Sequence, residues 1–251
     1  MKKNGLIVGY GVVGHNLHKE LAKLNLDVYD KFKVENNTKR DIKNDYAFIC
    51  VDTPYNDKGY CDMSAVEDAI VETNADILII KSTVLPGSTE QFSRKYNKRI
   101  VFSPEYYGGT QHCNNFNFNF TILGGDKETC CEVQQILQSV YDGTHIFRIV
   151  DSKTAELVKY MENSFLATKV SFCNAFYEIA KSIGVHYEEL RELFVLDPRV
   201  NPSHTFVYDD APYWNSHCLN KDVPAIAYNS NNEFLENVIK YNNQQKQKYQ
   251  K

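Results

Sequence analysis

Six residues near the start of the chain, Gly9-Tyr10-Gly11-Val12-Val13-Gly14, restrict its fold more than any other segment. They are entered from an apolar run, Gly5-Leu6-Ile7-Val8, and left by leucines at helical spacing, Leu17, Leu21 and Leu24. Three glycines between a strand and a helix have a physical reading. The first allows a tight turn and the second lets backbone approach a pyrophosphate. The third lets the helix pack on the strand, with the amides of its first turn, at Val12 and Val13, aimed at the phosphates. About 20 residues on, Asp30 closes a second strand, Leu26–Tyr29, where an acid takes the ribose hydroxyls and repels a 2′-phosphate. The spacing predicts a Rossmann-type dinucleotide site that prefers NAD to NADP, with Lys31 as an opposing charge beside the acid.

The alternation continues through strand 46–51, helix 63–72, strand 77–80, helix 88–96 and strand 100–102. It closes with strand 120–123, helix 127–139 and strand 145–149. Strands alternating with helices predict a doubly wound parallel sheet covered on both faces, over residues 1–150. Ser82-Thr83-Val84-Leu85-Pro86-Gly87 and Ser103-Pro104-Glu105 each follow a strand. They therefore fall at the carboxyl edge, where such sheets bind ligands.

The pattern changes at Asp151. From there to Ile183 there is no glycine or proline, and Leu157, Met161, Phe165, Ala167, Phe172, Phe176 and Ile179 recur at spacings of mostly three or four. One long spine helix is predicted, opening a small helical domain over 151–251. Shorter helices follow at 187–195 and about 223–229, and the Asn-, Gln- and Lys-rich tail reads as one frayed helix in a mobile segment. Lys159 and Asn163 lie four apart on the spine and share a face. A lysine among apolar residues can exchange protons, although spacing alone favours a snorkelling lysine beside an exposed asparagine. Cys218 stands ahead of Pro224, which suits a first helical turn, so the thiol is placed just before a helix N-terminus with Lys221 and Asp222 nearby. Packing is the competing explanation for that cysteine. A Cys–His hydrolase using His217 is disfavoured, because sequence neighbours rarely point the same way.

Bulk properties narrow the partners. The 28 basic and 32 acidic residues nearly cancel without long blocks, which points away from nucleic acid and from anionic membrane surfaces. No apolar run reaches the roughly 18 residues that span a bilayer, and the first residues do not form a signal peptide. Seven cysteines, an odd number without a CxxC pair, read as reduced thiols in a cytoplasm rather than as disulfides or a metal site.

Seven segments in order, GYGVVG, ICVDTP, KSTVLPGST, FSPEYYGG, AELVKYMENSFLATKVSFCNAF, LDPRVNPS and HCLNKDV, resemble the UDP-glucose/GDP-mannose dehydrogenase family to about Ala227. The resemblance implies oxidation of a nucleotide sugar's primary alcohol to a carboxylate, using two NAD. It makes Cys218 the nucleophile that forms a thioester and Lys159, assisted by Asn163, the group that stabilises oxyanions. Asp222 and Thr83 position a water, and Glu105 serves hydrolysis. Cofactor contacts extend to Thr53, Pro54, Ser82 and Thr83. Arg199 matches an arginine that reaches the substrate of a neighbouring subunit, in a homodimer formed along the long helix. Three departures stand out. Gly109 occupies the place of a second glutamate, Tyr213-Trp214-Asn215-Ser216-His217 replaces glycines before the cysteine, and the third, nucleotide-binding domain is absent from this sequence. A cofactor-binding module without turnover and a single-step hydroxy-acid dehydrogenase therefore stay open as alternatives.

Overall fold

The computed structural model describes residues 3–33, 37–55, 61–107 and 118–250, and Gly109 lies outside them. The elements run β1 (Asn4–Val8), α1 (Val12–Glu20), β2 (Asn25–Tyr29), β3 (Asn44–Ile49), α2 (Ser64–Glu72), β4 (Ala75–Ile80), α3 (Ser88–Tyr96) and β5 (Arg99–Phe102). They continue with β6 (Phe120–Gly124), α4 (Lys127–Gln138), β7 (Ile146–Val150), α5 (Ser152–Ser182), α6 (Tyr187–Phe194), α7 (His217–Ser230) and α8 (Glu233–Tyr249). None of the described helices is long and apolar enough to cross a membrane.

The strands form one sheet in the order β2-β1-β3-β4-β5-β6-β7. Alternation within each strand decides which helices cover which face. Ile7, Phe48, Ile79 and Val101 point to one side, under Leu17 of α1, Leu21 just beyond its end, and Val133 and Leu137 of α4. Leu6, Ile49, Leu78, Ile80 and Phe102 point to the other, under Val66 and Ile70 of α2, Phe92 of α3 and Ala155 of α5. Strands apolar on both sides are what a sheet buried on both faces requires. The first five strands are parallel, as the alternation predicts, but β6 pairs antiparallel to β5, and β7 follows β6. An antiparallel neighbour needs no crossover helix, and most of the β5–β6 connection, residues 108–117, lies outside the described residues.

The chain divides into two compact units, Met1–Pro54 with Cys61–Lys159, and Tyr160–Lys251 with Tyr55–Tyr60. The division falls inside α5 rather than at Asp151, because the helix's first two turns belong to the sheet. Ala155 packs in the sheet core, and Glu156, fully buried, accepts bonds from the Gly87 and Thr89 backbone N–H groups at 2.5 and 2.8 Å. The carboxylate thereby caps α3, whose N-cap Gly87 has no side chain to do so. Helix α5 has 31 residues, about 46 Å at 1.5 Å per residue.

Two expectations for the second unit need correction. α7 begins at His217, six residues before Val223, so Pro224 sits in its interior and Cys218 in its first turn. The tail is the 17-residue helix α8, capped by the Asn232 side chain on Leu235 N. Val238, Ile239, Asn242 and Gln245 are buried along it, with Ile239 in a core that also holds Ala167, Trp214, Leu219, Val223 and Ala227.

Candidate active site

The glycine loop has the geometry its spacing predicts. Gly9 has φ +93°, and a Cβ there would stand 2.7 Å from the Cys50 carbonyl oxygen, so no other residue fits without strain. A Cβ on Gly14 would overlap the Gly9 carbonyl oxygen, which is how closely α1 rests on the turn. A Cβ on Gly11 would meet nothing within 4 Å. The protein itself does not demand glycine at that position, which leaves open space over the turn where a pyrophosphate could approach. Gly11 caps α1 without a side-chain bond, which leaves the first-turn amides of Val12 and Val13 for phosphate.

Asp30 ties the glycine loop to the turn after β2. Its Oδ2 accepts Tyr10 N at 2.6 Å, and its Oδ1 accepts Phe32 N at 2.9 Å and Lys33 N at 3.1 Å. Partial burial pulls its pKa up, but the three backbone bonds and Lys33 outweigh this and hold the carboxyl below its usual range. A carboxylate offers about four lone-pair sites, so roughly one remains on Oδ2 for a ribose hydroxyl. Asp30→Asn is expected to weaken NAD binding about tenfold or more, because a charge-assisted bond and a loop tie are both lost. Calorimetric titration should show NAD bound more tightly than NADP by the unchanged chain, with the gap narrowed in the variant. Equal or tighter NADP binding would contradict the role given to Asp30.

At the carboxyl edge, Ser82 spends its hydroxyl on backbone, donating to Val51 O at 2.6 Å, and so clips the turn after β4 to the turn after β3. Those turns carry Thr83 and Thr53, both buried, and exposed Pro54. Cys61 lies between them, its sulfur 3.8 Å from Thr83 O and 4.0 Å from Thr53 O. Beyond the paired ends Ile80 and Phe102, Lys81 donates to Ser103 Oγ at 3.0 Å. Burial lowers the pKa of Lys81 and pushes that of Cys50 up to about 12. Glu105, also buried, accepts Tyr107 N at 2.8 Å through Oε2, and its Oε1 stands 4.0 Å from Lys159 Nζ. The Lys159 ammonium lies 5.1 Å from the centre of the Tyr106 ring. Thr83, Glu105 and Lys159 thus belong to the first unit, with Glu105 and Lys159 in contact.

In the second unit, Asn163 donates from Nδ2 to Asp222 Oδ2 at 2.6 Å, and Lys221 Nζ donates to Asp222 Oδ1 at 2.7 Å. Asp222 is buried and lies one turn beyond half-buried Cys218 on α7. The helix start is set by Ser216, whose Oγ accepts Leu219 N at 3.1 Å. The preceding loop is held by the chain's one tryptophan. Trp214 exchanges two backbone bonds with the Asn242 side chain of α8, at 2.8 and 3.0 Å, and its Nε1 donates to Ser171 Oγ of α5 at 3.0 Å. Packing therefore fixes a loop that lacks glycines. Arg199 is exposed, and its guanidinium pairs with Asp197 at 2.6–3.1 Å.

Several of these groups were not apparent from the amino-acid order. Glu156, Lys81, Tyr106 and Trp214 act through tertiary partners at distant positions. Only the lone tryptophan beside Ser216 and Cys218 was a visible signal.

The model of the UDP-glucose/GDP-mannose dehydrogenase family, NAD binding domain, matches residues 10–145, and that of the family's central domain matches residues 153–244. A UDP-glucose 6-dehydrogenase of Rickettsia prowazekii is 28% identical, over 95% of this chain and 63% of the relative. A UDP-N-acetyl-D-mannosamine dehydrogenase of Methanocaldococcus jannaschii is 29% identical, over 77% of this chain and 47% of the relative. The solved UDP-glucose dehydrogenase of Pyrobaculum islandicum superposes with a TM-score of 0.81 at 21% identity, over 97% of this chain and 68% of that one, a likeness of fold. The chain spans less than two thirds of the length of these curated relatives. With the NAD-binding model alone matching more than half of its length, the chain belongs to the UDP-glucose/GDP-mannose dehydrogenase family and carries that family's NAD-binding domain.

Proposed function

We propose that this chain oxidises the primary alcohol of a UDP-glucose-like nucleotide sugar to a carboxylate in two steps through a thioester on Cys218. The observation that supports this most is the position of that thiol, in the first turn of α7 and one turn from Asp222, which Asn163 and Lys221 hold. NAD, when bound, supplies the hydride acceptor for both oxidations. Lys159 stabilises the oxygen whose proton passes to water as the alcohol becomes an aldehyde. The Cys218 sulfur then adds to the aldehyde carbon, and the proton moves to the new hydroxyl, giving a thiohemiacetal. Oxidation of that centre leaves a thioester. Water, positioned by Asp222 and Thr83 and activated by Glu105, displaces the thiol as the acid forms. Arg199 contributes to the sugar site of a second subunit. A thiolate is the group that makes both the second oxidation and the release easy, which is why a hydroxy-acid oxidation in one step would leave Cys218 without purpose.

The test is a scan of nucleotide sugars with NAD, followed by absorbance at the reduced-nicotinamide band. Turnover with UDP-glucose or UDP-N-acetylmannosamine supports the reading. NAD binding without reduction by any sugar overturns it in favour of a non-catalytic module.

A homodimer is part of the same proposal. Leu157, Met161, Phe165, Phe172, Phe176 and Ile179 are 41–73% exposed, at spacings that fall on one stripe of α5. A contiguous stripe of large apolar side chains marks an interaction surface. Light scattering at micromolar concentration is expected to give twice the chain mass, and Phe165→Glu to give the single mass. A monomer in the unsubstituted protein would contradict both the interface and the role of Arg199.

A further inference from the structure

We propose that Tyr106 is a positioning residue whose ring face holds the Lys159 ammonium in place, an inference that rests on the role given above to Lys159. Lysine is a point charge on a flexible four-carbon stem, so something must hold it still if it is to meet an oxyanion. Glu105 does not do this alone. At 4.0 Å its Oε1 is beyond the 2.7–2.9 Å of a charge-assisted hydrogen bond. The Tyr106 ring centre is 5.1 Å from Nζ, within the roughly 6 Å over which a ring quadrupole attracts a cation. The attraction is stronger for a group as desolvated as buried Lys159.

The ring is itself fixed. It packs on Phe118 and Phe120 with centroids 5.3 and 5.1 Å away, and Phe120 begins β6. The next residue is tied as well, since Tyr107 N donates to Glu105 and its hydroxyl donates to Glu20 of α1. Consecutive residues therefore present a carboxylate and a ring face to one ammonium. The chemistry of the two differs usefully. A carboxylate in close contact would take an N–H and offset the charge, whereas a ring face stabilises the charge without a directed N–H···O bond. The ring thus restrains the ammonium by its charge, on the side that Glu105 does not reach within hydrogen-bond distance.

The test grades the ring's quadrupole without changing its shape. Phenylalanine, then singly and multiply fluorinated phenylalanine, is placed at position 106, with Tyr106→Leu as the limit. Trace acetylation of Lys159 is read by mass spectrometry against exposed Lys240 of the same chain. Tyr106→Phe should stay within about twofold of the unchanged protein, and labelling should rise stepwise with fluorination to about tenfold, as expected when a desolvated cation–π contact is lost. Flat labelling across the fluorinated series would overturn the proposal, and fluorinated rings keep that result available if Tyr106→Leu does not fold. Any nucleotide-sugar turnover should fall along the same series. If no sugar is turned over at all, the labelling order still decides the role of Tyr106, so failure of the functional reading and failure of this inference are told apart.

Discussion

Replacing Cys218 by serine should reduce carboxylate formation by on the order of a thousandfold or more, the scale seen when a covalent nucleophile is removed. The substitution is mild for the fold, since serine is accepted near a helix start and Ser216 still caps α7. It is severe for the chemistry. A hydroxyl adds to the aldehyde less readily than a thiol, and any ester formed resists water far more than a thioester does. The first oxidation should survive, so mass spectrometry should find released aldehyde or a trapped adduct on residue 218. Full carboxylate production by Cys218→Ser would remove the thioester from the account.

Lys159→Ala should cost about a hundredfold in turnover, about 3 kcal/mol, because a preorganised charge is lost from the oxygen on which negative charge develops. Alanine also empties the space of a buried side chain. Lys159→Met is the better-controlled variant, since it keeps most of the apolar stem and removes only the charge. Both variants should slow the first oxidation, measured in a single turnover, and leave NAD affinity nearly unchanged, because the glycine loop and Asp30 are untouched. Lys159→Met with turnover within twofold of the unsubstituted chain would exclude the oxyanion role.

Residue order announced some of this fold directly and concealed the rest, and range of interaction separates the two. The glycine loop was legible because its constraints are local. A positive φ at Gly9 and the contact of Gly14 with the Gly9 carbonyl are settled within six residues, and Asp30 returns to that loop across neighbouring strands. Helix α5 was legible because 31 residues without glycine or proline admit little else. Pro224 misled, because the rule that places proline in a first turn assumes that losing an interior hydrogen bond is too costly. Here burial of Val223, Ala225, Ile226 and Ala227 on either side of it sustains the helix, and the start moves back to Ser216. The tail misled for a related reason. Its Asn and Gln residues look like solvated linker, yet Asn242 is buried and gives both its amide groups to Trp214.

The same division runs through the site. Spacing alone left Cys218 and Lys159 explicable by packing and snorkelling, the family resemblance gave them and Asp222 and Asn163 their roles, and the structure joins Asn163 to Asp222 directly. The groups that support them come from far away in sequence. Glu156 acts 67 residues from Thr89, and the Tyr106 ring lies 53 positions before Lys159, distances at which no periodicity carries a signal. Reversal of β6 belongs here too, since strand direction depends on the path of a connection rather than on the strand's own residues.

The central claim is a four-electron oxidation through a thioester, and stoichiometry tests it most directly. With the nucleotide sugar limiting and NAD in excess, reduced cofactor and carboxylate should be counted in the same reaction. The account predicts two NADH and one carboxylate for each sugar consumed, with acyl adduct on Cys218 in acid-quenched samples. One NADH for each substrate, together with full activity in Cys218→Ser, would contradict it.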